Sequence, residues 1–232
     1  MNSSFLEINK IRKTFNPGEE IEVIGLHEVT LYIDEGEFVV ISGPSGSGKT
    51  TLLNIIGGLD NATSGSVTLA THCLTGLSEK ELSALRRDNI GFVFQAYNLV
   101  PVLTGRENIE YIMKLQGKSQ NECDTRTQEI AQKLDILEYL DKLPNQMSGG
   151  QQQRVAVARA VSAKPQLILA DEPTANLDSK SAENLMDMMQ QLNKDEGITI
   201  IFSSHDPLVI DKARHSVVLR DGKIFNEYET LA

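Results

Sequence analysis

Apolar and polar positions divide the chain into short runs whose period changes along its length. FLEI (5 to 8), VTLYI (29 to 33), FVVIS (38 to 42), GFVF (91 to 94), LILA (167 to 170), ITIIF (198 to 202) and SVVLR (216 to 220) are brief and rich in β-branched or aromatic residues, the composition of strands. Several, FVVIS and LILA among them, are apolar at successive positions, which suits strands covered on both faces in a largely parallel sheet. The earliest runs, with Asp34-Glu35-Gly36 as a turn, read instead as an antiparallel edge. Between Asn98 and Ala163 the strands stop, and helical patterns begin near Thr104 and continue through the polar stretch Ser119 to Tyr139. After Asp178, Leu185, Met186, Met189 and Leu192 recur at helical spacing; Asp178 or Ser179 can cap this helix, and the Met-rich stripe reads as core. The expectation is a single α/β unit: a core of about 1–97 and 162–232 with a mostly parallel central sheet and an antiparallel β edge subdomain, interrupted by a helical subdomain at about 98–161.

Bulk properties narrow the function. A chain of 232 residues holds one substantial core. Its 22 Lys plus Arg against 32 Asp plus Glu give a net charge of −10, and without a basic run there is no support for a nucleic-acid groove. The opening MNSSFLEINKIRKTF lacks the apolar stretch of a signal peptide. No segment approaches the ~20 apolar residues that cross a bilayer, so a cytoplasmic chain is expected. Cys73 and Cys123 stand far apart and are expected to be reduced thiols; His72 beside Cys73 has no second pair with which to hold a metal.

The chemistry is concentrated in three strings. In FVVISGPSGSGKTTLLNIIGG, a strand, a glycine-rich turn and a helix follow one another, and Gly43 to Thr51 fill every fixed position of a phosphate-binding loop. Gly46 and Gly48 let backbone N–H groups curl round phosphate oxygens at a helix N-terminus. Lys49 neutralises the β- and γ-phosphates, Thr50 offers a hydroxyl to Mg²⁺, and Thr51 reaches towards the α-phosphate. LILADE, residues 167 to 172, ends an apolar strand in two carboxylates at the edge where parallel sheets bind ligands. Asp171 can hold a water of the Mg²⁺ shell and Glu172 can polarise the attacking water, although a simple turn stopped by Pro173 would look similar. In MSGGQQQR, residues 147 to 154, Ser148-Gly149-Gly150 opens a helix with a second anion-binding geometry; a plain N-cap accounts for Ser148 but not for the paired glycines. Two cradles in one chain are explained if two chains face head to tail, each completing the other's nucleotide site.

These motifs, in this order, resemble the nucleotide-binding subunit of ATP-binding cassette (ABC) transporters, and the resemblance covers essentially the whole chain. It implies a P-loop NTPase core, bound ATP and Mg²⁺, and hydrolysis coupled to transport. By resemblance, Phe15 stacks on adenine, and Gly43, Pro44, Ser45, Gly46, Ser47, Gly48, Lys49, Thr50 and Thr51 form the Walker A loop. Gln95 senses Mg²⁺ and γ-phosphate, Asp171 is the Walker B aspartate, Glu172 the general base and His205 the switch histidine. Ser148, Gly149, Gly150 and Gln151 form the signature, and Asn176-Leu177-Asp178 the D-loop. Catalysis is thus expected of Glu172, His205, Lys49 and Gln95, and metal binding of Thr50, Gln95 and Asp171. Met147, Ser204 and Ala175 stand where relatives often have Leu, Thr and Gly.

GGLDNATSG, GFVFQAYNLVPVLTGRENI and ADEPTANLDS resemble the lipoprotein-releasing, macrolide-exporter and peptide-resistance branch, with the cell-division ABC ATPase as a cousin. The implied partners are a second copy in the ATP-bound state and an integral membrane permease subunit with an extracytoplasmic domain, on the cytoplasmic face of the inner membrane. The cousin supplies an alternative, an ATPase that regulates an extracytoplasmic cell-wall enzyme and moves no cargo. Tyr97, Leu99, Val100, Pro101 and Leu103 are either an apolar docking surface for that subunit or a buried patch. A GTPase reading finds only Asn193-Lys194-Asp195-Glu196, with Glu where the base-reading motif needs Asp. With the sequence ending soon after SVVLRDGKI, the C-terminal regulatory domain of many sugar-importer ATPases is not expected.

Overall fold

The computed structural model describes residues 4–18 and 21–229. In chain order the elements are β1 (Leu6–Phe15), β2 (Val23–Ile33), β3 (Phe38–Ser42), α1 (Lys49–Ile56), β4 (Ser64–Leu69), β5 (His72–Cys73), α2 (Glu79–Asn89) and β6 (Ile90–Val93). There follow α3 (Gly105–Leu115), α4 (Gln120–Lys133), α5 (Gly149–Ser162), β7 (Leu167–Ala170), α6 (Ser179–Glu196), β8 (Thr199–Ser204), α7 (Pro207–Ile210), β9 (His215–Arg220) and β10 (Lys223–Glu229).

Every residue of β3, β7 and β8 is buried, because each has a strand on both sides and packing on both faces. They form the middle of a six-stranded sheet, ordered β10-β9-β3-β8-β7-β6. All its pairings are parallel except the β9–β10 hairpin. Side chains alternate between two cores: Val39 and Ile41 face one, Phe38 and Val40 the other. The antiparallel edge expected from the sequence is a sheet of its own, ordered β2-β1-β4-β5. Between the two sheets lies α1, whose Leu52, Leu53, Ile55 and Ile56 join the first core.

The opposite face of the large sheet is covered by the helices that replace strands after residue 98. Ile109, Ile130 and Val155 share a cluster with Phe38, Ile200 and Phe202. Thr104, Ser119 and Ser148 each cap the helix that follows, with Glu107, Glu122 and Gln151 returning the bond to the cap's own N–H; such caps are worth about 0.5–2 kcal/mol each. Asp178, not Ser179, caps α6. Cys73 is exposed and Cys123 buried, and both are unpaired thiols. Among the described residues no helix is long and apolar enough to cross a membrane.

Register decides where the chemistry falls. Ser42 pairs with Ser204, Phe202 with Ala170, and Ala170 with Val93. The C-terminal ends of β3, β8, β7 and β6 therefore open on one edge, so the loops carrying residues 43–48, His205, Asp171 and Gln95 emerge side by side.

Candidate active site

A cavity of about 610 Å³ opens at this edge, lined by Phe15, residues 44–51, Gln95, Glu172 and His205. Gly48 turns the chain into α1 with φ of 103°, a conformation that L-residues avoid, and a Cβ there would lie 2.8 Å from the Gly25 carbonyl oxygen. The first turn of α1 has no side-chain cap, and its Lys49, Thr50 and Thr51 line the cavity, so its N–H groups are left for a ligand. Lys49 is buried, its Nζ donating to the carbonyls of Gly43 (2.8 Å) and Pro44 (3.2 Å) and standing 3.7 Å from Glu172 Oε1. Ser47 Oγ, also buried, has no partner among the described residues, an acceptor and donor left for a ligand.

Across the cavity Thr50 Oγ1 lies 3.1 Å from Asp171 Oδ1. Asp171 follows β7 directly, and its N–H donates to Val93 O at 2.9 Å. Glu172 is one of the few residues other than glycine in the left-handed region, with φ of 46°; such conformations cost about 1–3 kcal/mol and collect at functional sites. His205 Nδ1 lies 3.0 and 3.1 Å from the two carboxylate oxygens of Glu172. A carboxylate only accepts, so this contact assigns the proton to Nδ1. At the other end of the cavity Val23, Ile24 and Gly25 adjoin Phe15, whose ring is partly exposed. That end is an apolar slot for a flat ring.

The signature residues lie elsewhere. Ser148, Gly149, Gly150, Gln151 and Asp178 are absent from the cavity lining. Gly149 backs onto the Tyr97 hydroxyl and Gly150 onto Leu177. Within the chain Gln151 Oε1 accepts from the Ser148 N–H at 2.8 Å, and the Asp178 carboxylate accepts from Ser181, so these side chains act here as helix caps.

Two residues near the site were not singled out from the sequence. Ser203 Oγ accepts from the Glu172 N–H at 2.8 Å and donates to Asp171 Oδ1 at 2.7 Å. Arg159 donates to the carbonyls of Tyr97 (3.0 Å) and Asn98 (2.6 Å), and desolvation holds its pKa below the usual guanidinium range. A polar group inside an apolar run was the available signal in both cases: Ser203 in ITIIFSS and Arg159 in VAVARAV.

The ABC transporter family matches residues 26–175, and a shorter match to an AAA domain, described as a putative AbiEii toxin of a type IV toxin–antitoxin system, covers residues 143–211. The ABC transporter ATP-binding protein MJ0796 of Methanocaldococcus jannaschii is 45% identical over 96% of both chains. Its structure, a dimeric post-hydrolysis state bound to ADP and Pi, superposes with a TM-score of 0.91 over 98% of this chain and 99% of that one, at 41% identity. The lipoprotein-releasing system ATP-binding protein LolD 1 of Chlorobium chlorochromatii is 42% identical over 97% of this chain and 92% of its own. The macrolide export ATP-binding/permease protein MacB of Syntrophobacter fumaroxidans is 43% identical over 94% of this chain but only 31% of its own length. A match over more than half the chain, and relatives above 40% identical along nearly all of it, make this protein a member of the ABC transporter family, an ATP-binding and ATP-hydrolysing subunit.

Proposed function

We propose that the chain works as one half of a head-to-tail pair in which each signature helix closes over the partner's ATP, and that the cycle drives a membrane permease engaged in extraction or export. The observation that carries this reading is the separation just described: Ser148, Gly149, Gly150 and Gln151 do not line the cavity built by their own phosphate loop, which favours their completing the site of a second copy. The dimeric structure of MJ0796 supports the pairing.

Within each cavity, Phe15 stacks on the base and the N–H groups of residues 43–51 hold the phosphates. Lys49 exchanges the Gly43 and Pro44 carbonyls for phosphate oxygens, which are stronger acceptors. Glu172 accepts a proton from water as the water oxygen attacks the γ-phosphorus and the bond to the β–γ bridging oxygen breaks. His205, donating through Nδ1, aims that carboxylate, and Gln95 reaches the same reacting end of the cavity. Thr50 and Asp171 present an oxygen-only donor set beside Lys49, which fits a hard cation; Mg²⁺ bound there with Gln95 would neutralise charge developing on the β- and γ-phosphates.

The cassette is proposed to be one unit with a helical insertion at about 98–161, and that insertion carries the contact with the membrane subunit. A groove of about 770 Å³ runs between α2, β6 and α3, lined by Phe94, Asn98, Val100, Tyr111, Leu115 and Arg159 among others. Of the apolar cluster after Gln95, Val100 and Pro101 are exposed, Tyr97 and Leu103 half-buried, and Leu99 packs against the core; the cluster is partly a docking surface and partly a foundation for it. MacB carries a permease in the same polypeptide, and LolD belongs to a releasing system. We infer from the resemblance of the motifs that the membrane partner bears an extracytoplasmic domain and that this chain sits peripherally at the cytoplasmic face of the inner membrane.

Ser148→Arg tests the pairing. ATP affinity of the monomer should stay within about twofold of wild type while nucleotide-dependent dimerisation and steady-state hydrolysis disappear. Loss of monomer affinity would mean that the signature serves its own chain's site.

A further inference from the structure

Ser203 is fully buried at the penultimate position of β8, beneath the two acidic residues of the active site. A hydroxyl has one proton to give and two lone pairs to receive with. Asp171 Oδ1, an acceptor, lies 2.7 Å away, and the Glu172 N–H, a donor, lies 2.8 Å away. Both ends of the Ser203 hydroxyl are therefore specified, and its rotor is locked. The same Oδ1 also receives the Thr50 hydroxyl at 3.1 Å, while Oδ2 accepts no hydrogen bond among the described residues. Asp171 is thus pinned by one oxygen and presents the other. Through the Glu172 N–H, the same hydroxyl fixes the peptide at which the chain enters its left-handed turn, the turn that aims the Glu172 carboxylate at His205.

We propose that Ser203 is a positioning residue for hydrolysis: its hydroxyl joins Asp171 to the Glu172 backbone, so that the metal-holding and water-activating carboxylates keep a fixed separation. The inference rests on the roles assigned above to Asp171 and Glu172. A charge-assisted hydrogen bond to Asp171 is lost without the hydroxyl, and the part-buried Glu172 N–H is left without that partner.

The test compares Ser203→Ala with the shape-matched pair Ser203→Thr and Ser203→Val, which differ from each other only in the hydroxyl. The readouts are Mn²⁺ affinity of the complex with a non-hydrolysable ATP analogue, metal-free ATP affinity, kcat and KM for ATP, and thermal midpoint. Ala and Val should each weaken Mn²⁺ binding and lower kcat by about tenfold or more, the scale of one charge-assisted hydrogen bond. Metal-free ATP affinity and KM should hold within about twofold, and Thr should restore both losses. A side chain that merely packs would lower the thermal midpoint without moving Mn²⁺ affinity. Wild-type Mn²⁺ affinity and kcat in Ser203→Ala would overturn the proposal, as would equal losses in Thr and Val. Asp171→Asn separates the two levels of argument. If it keeps full Mn²⁺ affinity, the underlying assignment of Asp171 is wrong; if it loses Mn²⁺ while the Ser203 variants do not, only the role of Ser203 falls.

Discussion

Replacing Glu196 by Gln is expected to destabilise the fold in a pH-dependent way while leaving nucleotide binding alone. Glu196 ends α6, and its carboxylate takes two hydrogen bonds from Arg126 of α4, at 3.2 and 3.0 Å, and one from Lys133 at 2.7 Å. Arg126 is itself buried and also pairs with Glu129 at 3.1 Å. Burial alone would raise the Glu196 pKa, but the hydrogen bonds and charges of Arg126 and Lys133 outweigh it and hold the group at about 2, against an ordinary 4.5. Because the folded value is depressed, the stabilisation is fully present above about pH 4.5 and is lost as pH falls towards 2. The difference between those values corresponds to about 3 kcal/mol at neutral pH. The side chain keeps 14% exposure, and water screens part of the interaction, so a loss of ~2 kcal/mol is the expected size. Urea unfolding of wild type and Glu196→Gln at pH 7 should show that gap, and at pH 3 less than half of it should remain. None of these four charged residues lines the nucleotide cavity, so ATP affinity should not change. A gap that is the same at both pH values would refute the electrostatic account and point to packing alone.

Glu172→Gln should bind ATP normally, slow turnover by about 10²–10⁴-fold as expected for loss of a general base, and accumulate as an ATP-bound dimer in size-exclusion chromatography; near-normal turnover would sink the assignment. Phe15→Ala should weaken ATP binding by about 1–3 kcal/mol, the scale of base–aromatic stacking, with metal dependence unchanged, as read by equilibrium titration. His215 is buried between Glu37 (3.0 Å) and Glu227 (2.8 Å), and hydrogen bonding to Glu37, opposed by burial and reinforced by Glu227, raises its pKa. Its contribution is complete below the ordinary histidine value and lost as pH rises through the raised one, so thermal midpoints of wild type and His215→Gln should converge from pH 6 to pH 9; a constant difference would contradict the charged pairing.

What the sequence made legible follows from how each element is buried. FVVIS, LILA and ITIIF sit in the middle of the large sheet, and their unbroken apolar runs reported burial on both faces. SGSVTL did not read as a strand, because β4 belongs to the antiparallel sheet and of its residues only Val67 and Leu69 are buried. KIFNEYE was missed for a similar reason: β10 is an edge strand whose exposed Phe225 and Tyr228 mask any alternation. At the site, the residues read from the sequence were those whose type chemistry restricts, glycines, a lysine and paired carboxylates. Ser203 escaped because a serine in a buried strand looks like ordinary composition until its two partners, Asp171 and Glu172, arrive from the turn that follows the neighbouring strand β7. That pairing depends on register and cannot be read from either segment alone.

The segment from Gln95 to Asn98 shows how such long-range partners join the cavity to the groove. Tyr97 and Asn98 both occupy the left-handed region, with φ of 63° and 48°, so the turn requires outside support. Asn176 Nδ2 donates to Gln95 O at 2.9 Å from the loop after β7, and Arg159 of α5 grips the next two free carbonyls along the turn. One end of this segment lines the nucleotide cavity through Gln95, and the other lines the groove through Asn98 and Val100. Arg159 stands in that groove while belonging to the helix that Ser148 caps. A displacement of Gln95 is therefore expected either to break these hydrogen bonds or to carry α5 and the groove wall with it. Coupling between nucleotide state and groove shape then needs no contact between the two sites beyond this one clamped turn.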